Sequence, residues 1–197
     1  MNLILASASP RRLELLSGLI GEFSVVASKA EELHDEALGA SELCKINARR
    51  KAQEVSQRNP DALVIGADTL VALGPRIFGK PQDLAEAKRM LQELSGKTHD
   101  VVTGVCLVQG VNRKLSVFHE LTRVTFKLLN NPEIDAYLKV VHVLDKAGAY
   151  GIQEHGEMIV EDVDGSFNNV VGLPTERLAR ELNTWGIQIE GQRERSR

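Results

Sequence analysis

The run Ala62-Leu63-Val64-Ile65-Gly66-Ala67-Asp68 decides the fold. Six residues without a polar side chain stand between the helix stop Asn59-Pro60 and an aspartate, which is the pattern of a strand covered on both faces. Such a strand belongs in the middle of an α/β sheet, and Asp68 is then expected at its carboxyl edge, where open α/β sheets place ligands. Working back from this run, residues 41–57 carry helical spacing with Leu43, Ile46, Ala48 and Ala52 on the apolar face. Earlier still, a strand over residues 3–6 runs into Ser7-Ala8-Ser9-Pro10. There Ser9 is placed to cap, and Pro10 to open, a helix continuing through about Leu19.

Working forward, residues 70–78 are short and extended, and Gly79-Lys80-Pro81 turns into a helix over residues 84–94 closed by Ser95-Gly96. Residues 99–109 and 115–127 read as paired strands around a turn at 110–113, and residues 133–140 as a short helix after Asn131-Pro132. A strand over 158–163 ends at the Asp164-Gly165 turn, and residues 174–185 form an amphipathic helix led by Thr175. The charged tail, residues 192–197, is expected to fray. Alternation of short Val/Ile/Leu runs with helical segments is the mark of the α/β class.

With 197 residues, 43% hydrophobic and 26% charged, the chain has the size and make-up of one folded domain, 1–197. The net charge of −3 excludes a protein that coats nucleic acid or an anionic membrane through bulk charge, so any polyanion must meet a local cluster. Two cysteines, Cys44 and Cys106, make no disulfide framework and point to a reducing cytoplasm. The opening residues lack a basic signal-peptide region, and no apolar run approaches the length of a membrane span, so neither export nor membrane insertion is expected.

Several segments have the make-up of a site. Gly74 to Lys80 has the spacing of a phosphate loop, but Pro81 stands where a magnesium-binding hydroxyl is needed, so the pattern is taken as coincidence. Ser7 to Arg12 sets two guanidinium groups at a helix N-terminus, either as an anion site or as a capped helix whose arginines pair with surface carboxylates such as Glu14. Asp68 is placed to hold a cation or take a proton from water, or else to make a local turn into Thr69. Glu31 and Glu32 are placed to complete a magnesium site, or to stand as a solvated acidic pair. The five histidines are scattered without zinc-ligand spacing. In residues 145–153, Gly148 and Gly151 permit close backbone approach to a ligand, or simply a tight loop.

Taken together, Leu5-Ala6-Ser7-Ala8-Ser9-Pro10-Arg11-Arg12, Gly66-Ala67-Asp68-Thr69, Gly79-Lys80-Pro81, Ser95-Gly96-Lys97-Thr98-His99, residues 145–153 and Asn169-Val170-Val171-Gly172-Leu173-Pro174 resemble, in order, the Maf family of nucleotide pyrophosphatases. The resemblance implies an inosine-triphosphatase-like α/β fold, a mixed sheet with flanking helices in two lobes around a central cleft, commonly as a homodimer. It further implies hydrolysis of a nucleoside triphosphate to the monophosphate and pyrophosphate with a divalent metal, Mg or Mn. On the matching positions, Asp68 is the implied catalytic residue. Glu32 and Asp68 are the implied metal ligands, with Glu31 as the alternative to Glu32. Ser7, Arg12, Lys51 and Lys80 face phosphate, and Arg11, Thr69 and Gln153 track base choice. The last three resemble the branch acting on dTTP and UTP; the 7-methyl-GTP branch has Trp, Gln and Glu there. A nucleotide-binding regulator of septum formation is the alternative from another class.

Overall fold

The computed structural model describes residues 2–35, 37–110 and 114–189. Its elements in chain order are β1 (Leu3–Leu5), α1 (Pro10–Ser17), β2 (Ser24–Val25), α2 (Ala40–Arg58), β3 (Leu63–Leu73), β4 (Arg76–Phe78), α3 (Leu84–Leu94), β5 (Thr98–Gln109), β6 (Lys114–Phe126), α4 (Asn131–Val140), β7 (Val160–Asp164), α5 (Phe167–Val171) and α6 (Thr175–Thr184). The strands make one mixed sheet in the order β2-β1-β3-β5-β6-β7, with β4 paired to β3. β1 lies parallel to β2 and β3, whereas β3–β4 and β6–β7 are antiparallel. The α/β class and the mixed sheet with flanking helices are therefore as expected. No helix of the described residues is long and apolar enough to cross a membrane.

The chain divides into two compact units. One holds the residues up to Asp68, Thr103–Glu120 and those from Gly172 on; the other holds Thr69–Val102 and Leu121–Val171. In the first unit the side chains of β1 and β3 alternate between two cores. Leu3, Leu5, Leu63 and Ile65 pack with Leu16 of α1 and Leu178 and Leu182 of α6. Ile4, Ala6 and Val64 pack with Ala48, Ala52 and Val55 of α2. Alternation onto two buried faces is why this stretch reads as continuously apolar. Each fully buried Leu or Ile contributes on the order of 1.5–3 kcal/mol. The second unit has its own core, in which Val71, Phe78, Leu91, Leu94, Phe126, Ile134 and Tyr137 meet.

Two glycines bring α2 down onto the sheet. A Cβ at Gly66 would stand 2.4 Å from the Ala48 carbonyl oxygen, and one at Gly104 2.4 Å from the Cys44 carbonyl. The small faces of strand and helix meet backbone to backbone, and the helix is thereby fixed above the middle of β3.

The structure corrects several expectations. β3 does not stop at Asp68 but runs on to Leu73 and folds back through Gly74-Pro75 into β4, so Asp68 is a mid-strand residue and makes no turn into Thr69. The carboxyl-edge argument survives in another form: the parallel neighbour β1 ends opposite Ile65, which leaves Asp68 beyond it. The segment Gly74 to Lys80 contains a hairpin and no strand-to-helix phosphate loop. Helix α1 ends at Ser17, and Ser9, although at the N-cap position, makes no side-chain capping bond. Ile46 is only half-buried, since the buried face of α2 is led by Cys44, Asn47, Ala48 and Ala52. Helix α4 starts earlier than residue 133 because Asn130 and Glu133 form a reciprocal capping box. β7 starts at Val160 after a single 3₁₀ turn, Gly156–Met158, and α5 was not foreseen. Most of the 110–113 turn and all of the tail 192–197 lie outside the described residues.

Candidate active site

Helix α2 and strand β3 bring Lys51 onto Asp68. The Lys51 ammonium donates to Asp68 Oδ1 at 2.6 Å and to Glu32 Oε1 at 2.6 Å, so one cation is held between two carboxylates. Asp68 is buried and Glu32 faces solvent. A pair of this kind holds only with good geometry and further hydrogen bonds, because removing both charges from water is costly. Asn47, one turn before Lys51 on α2, supplies one such bond: its Nδ2 donates to Asp68 Oδ2 at 3.3 Å.

Glu32 is carried by an irregular segment that α2 ties down. Glu54 accepts from the Ser28 hydroxyl and the Lys29 backbone N–H, the Ser28 hydroxyl accepts from Ala30 N–H, and Arg50 donates to the Glu31 carbonyl. These bonds hold the segment by its backbone and leave Glu32, the second of the two neighbouring glutamates, on Lys51. Of the expected alternatives, Glu32 is the one gathered with Asp68.

Ser7 and Arg12 form the second group of this unit. Ser7 is buried, and its hydroxyl accepts from Ser9 N–H at 3.2 Å and from an Arg12 guanidinium nitrogen at 3.3 Å. Arg12 Nε donates to the Gly172 carbonyl at 2.9 Å, which fixes the plane of the guanidinium. Burial pushes the Arg12 pKa down. Asp68 pulls it back up, Arg11 pushes it down again and Glu32 raises it, so these four charges share one field.

The remaining expected residues belong to the other unit. Thr69 follows Asp68 in β3 and is half-buried; Lys80 and Gln153 are exposed. The Gly148 N–H donates to the Gly79 carbonyl at 3.1 Å, which joins the Lys80 turn to the loop that carries Gln153. That loop is further held where Tyr137 Oη accepts from Gly151 N–H, and where the buried Lys146 ammonium meets Asp145, Glu154 and the His142 carbonyl. Ala149 in the same loop has φ 61°, a conformation that only a well-determined surrounding maintains in a non-glycine residue.

Both thiols are poor nucleophiles: burial, with the charge of Asp68, pushes Cys44 up to about 12, and burial pushes Cys106 up to about 12. Among the described residues no group of three or more His, Cys, Asp or Glu is placed to hold a metal ion. Glu32 and Asp68 are nevertheless oxygen donors of the kind magnesium takes, and the Lys51 ammonium, 2.6 Å from each, shows that a cation is accepted between them.

Asn47 was not foreseen. A lone amide in a helix carries no sequence signal; only its place one turn before Lys51 would have singled it out.

Known proteins resemble this chain along nearly its whole length. It is 46% identical over 187 residues to the dTTP/UTP pyrophosphatase of Bacillus cereus (strain Q1), covering 95% of this chain and 97% of that one. The dTTP/UTP pyrophosphatase of Bacillus anthracis matches with the same identity and coverage. Among solved structures, the Staphylococcus aureus Ham1 protein superposes with a TM-score of 0.53 at 12% identity, over 94% of this chain and 100% of that one. A HAM1 protein from Coxiella burnetii gives 0.50 at 16%, over 93% and 99%. These two share the fold. A family model described as Maf-like protein matches residues 2–185, and the chain belongs to the Maf family.

Proposed function

We propose that this protein hydrolyses dTTP and UTP to the monophosphate and pyrophosphate, with Asp68 as the catalytic residue. The observation that carries this is the placement of one cation, Lys51, between Asp68 and Glu32 at 2.6 Å each. The 46% identity to proteins named dTTP/UTP pyrophosphatase supports the choice of substrate.

A triphosphate brings roughly four negative charges, and a site for it needs cations fixed before the substrate arrives. Arg12, held by Ser7 and Gly172, is such a group. Lys51 and Lys80 are assigned to the same task. Asp68 accepts a proton from the water whose oxygen attacks the α-phosphorus; the bond from that phosphorus to the bridging oxygen breaks, and pyrophosphate leaves with the electron pair. Lys51 holds the Asp68 carboxylate in place for that transfer. Glu32 and Asp68 would hold the divalent cation, Mg or Mn. When bound it offsets charge on the phosphate oxygens. Arg11, Thr69 and Gln153 are assigned to the base, since uracil and thymine present carbonyls and one N–H that an amide and a hydroxyl match, and a base leaving those groups unpaired is penalised.

The experiment is steady-state pyrophosphate release across a panel of dTTP, UTP, CTP, 7-methyl-GTP and inosine triphosphate. Turnover of dTTP and UTP is expected to exceed the rest at least tenfold. Faster turnover of 7-methyl-GTP or inosine triphosphate overturns the base assignment, and no release from any of them overturns the enzyme. The two buried free thiols support action in a reducing cytoplasm. The motif resemblance supports a homodimer, which sedimentation checks.

A further inference from the structure

Asn47 is 2% exposed, and each of its side-chain heteroatoms is used. Its Oδ1 accepts from Leu33 N–H at 2.7 Å; its Nδ2 donates to the Leu33 carbonyl at 3.2 Å and to Asp68 Oδ2 at 3.3 Å. The neighbours fix which end of the amide is which. Leu33 N–H is a donor and needs the oxygen, whereas a carbonyl and a carboxylate both need the NH2 group. Leu33 follows Glu32. One buried side chain therefore clamps the peptide next to Glu32 in both directions and reaches the carboxylate of Asp68. Lys51 joins the same two carboxylates from a turn further along the helix, but through a flexible stem and a freely rotating ammonium, which fixes neither backbone.

We infer that Asn47 is a positioning residue that locks the segment bearing Glu32 to Asp68 and so sets how the two carboxylates stand toward each other. The inference rests on the site proposed above. Only Asn among residues of this size meets the demand. Leu keeps the volume and loses all three bonds, while Asp keeps the acceptor for Leu33 N–H and loses both donated bonds. The clamp acts on the two carboxylates and touches neither Arg12 nor Lys80, two of the groups assigned to phosphate. Its loss is therefore expected in kcat with little change in KM.

The test compares Asn47→Leu, Asn47→Asp and Asp68→Asn with the wild type. Two readouts are used: kcat and KM for UTP, and amide hydrogen exchange at Leu33 in the metal-free protein. Asn47→Leu is expected to lower kcat at least tenfold with KM within about threefold, and to speed Leu33 exchange about tenfold or more. Asn47→Asp is expected to lower kcat similarly while Leu33 stays protected, since its acceptor remains. Wild-type kcat in both Asn47 variants, with Asp68→Asn inactive, overturns the positioning role and leaves the active site standing. Wild-type turnover in Asp68→Asn overturns the active site and this inference together. If Asn47→Leu does not fold, Asn47→Ser replaces it with the same expectations.

Discussion

Gly66 of β3 and Ala48 of α2 are in backbone contact: a Cβ at position 66 would stand 2.4 Å from the Ala48 carbonyl oxygen and 2.8 Å from the Ala52 amide nitrogen. Lys51 lies between those two helical residues in sequence, and Asp68 two residues beyond Gly66 on the strand, so this contact sets the distance at which ammonium meets carboxylate. Gly66→Ala must push the helix off the sheet, because the clashing atoms are backbone and cannot swing aside. Overpacking of this kind costs roughly 1–3 kcal/mol or more. Urea unfolding should show that loss, and kcat for UTP should fall with it as Lys51 leaves Asp68. Unchanged stability would mean that the two elements separate without cost.

Removing the shared cation should be severe. In Lys51→Met the buried Asp68 loses its ion pair and, among the described residues, keeps the bond from Asn47, and Glu32 loses its bond to the ammonium. We expect kcat/KM for UTP to fall about a hundredfold, close to 3 kcal/mol of transition-state stabilisation. Lys51→Arg should not restore it, since the longer, bulkier guanidinium must displace one of the two carboxylates that a compact ammonium meets at 2.6 Å. Activity within threefold of wild type in Lys51→Met would remove Lys51 from the site.

Much of this is legible in the sequence. The alternation of β1 and β3 onto two cores follows from runs such as Leu63-Val64-Ile65, and α3 falls on the residues its spacing marks. Asp68 shows how an apolar run can mislead: a run ending in Asp looks like a strand end, yet β3 continues to Leu73, where Val71, Ala72 and Leu73 pair with Phe78, Ile77 and Arg76 of β4 across a tight hairpin. Ser9 stands at the N-cap position but makes no side-chain capping bond; its backbone N–H donates to the Ser7 hydroxyl. Glu31 and Glu32 cannot be told apart in sequence; what separates them is Arg50, Asn47 and Glu54 gripping the backbone on either side. Asn47 was illegible because its meaning lies wholly in tertiary contacts to Leu33 and Asp68.

Acid should weaken the second unit through His99. Its Nε2 is within 2.9 Å of Tyr150 Oη, its Nδ1 has no hydrogen-bond partner among the described residues, and Phe126 packs edge-on at 4.8 Å. Burial pushes its pKa down to about 4. An unfolded His takes up its proton near pH 6.5, so between about 6.5 and 4 the unfolded chain binds more protons than the folded one, and stability falls as the pH falls through that window. The full penalty is on the order of 3 kcal/mol. Urea unfolding of wild type and His99→Gln from pH 7 to 4.5 isolates it, because the carboxylates titrate in both. Parallel curves would show that His99 protonates without cost.

The Lys80 turn separates framework from binding. Gly148 has φ 69° and donates to the Gly79 carbonyl, and a Cβ there would come 3.0 Å from Val71 Cγ2. Gly148→Ala therefore combines a left-handed backbone carrying a side chain with crowding of a buried valine, and should cost about 1–3 kcal/mol of stability. Lys80 is exposed, so Lys80→Ala should leave stability within about 0.5 kcal/mol. If Lys80 meets phosphate, the same change should lower kcat/KM for UTP by about tenfold or more, the size of a lost charge-assisted hydrogen bond. Melting curves and UTP kinetics on both variants decide the matter: a Lys80→Ala enzyme as fast as wild type would leave the lysine a solvated surface group, and the Gly79–Gly148 bond a feature of the framework alone.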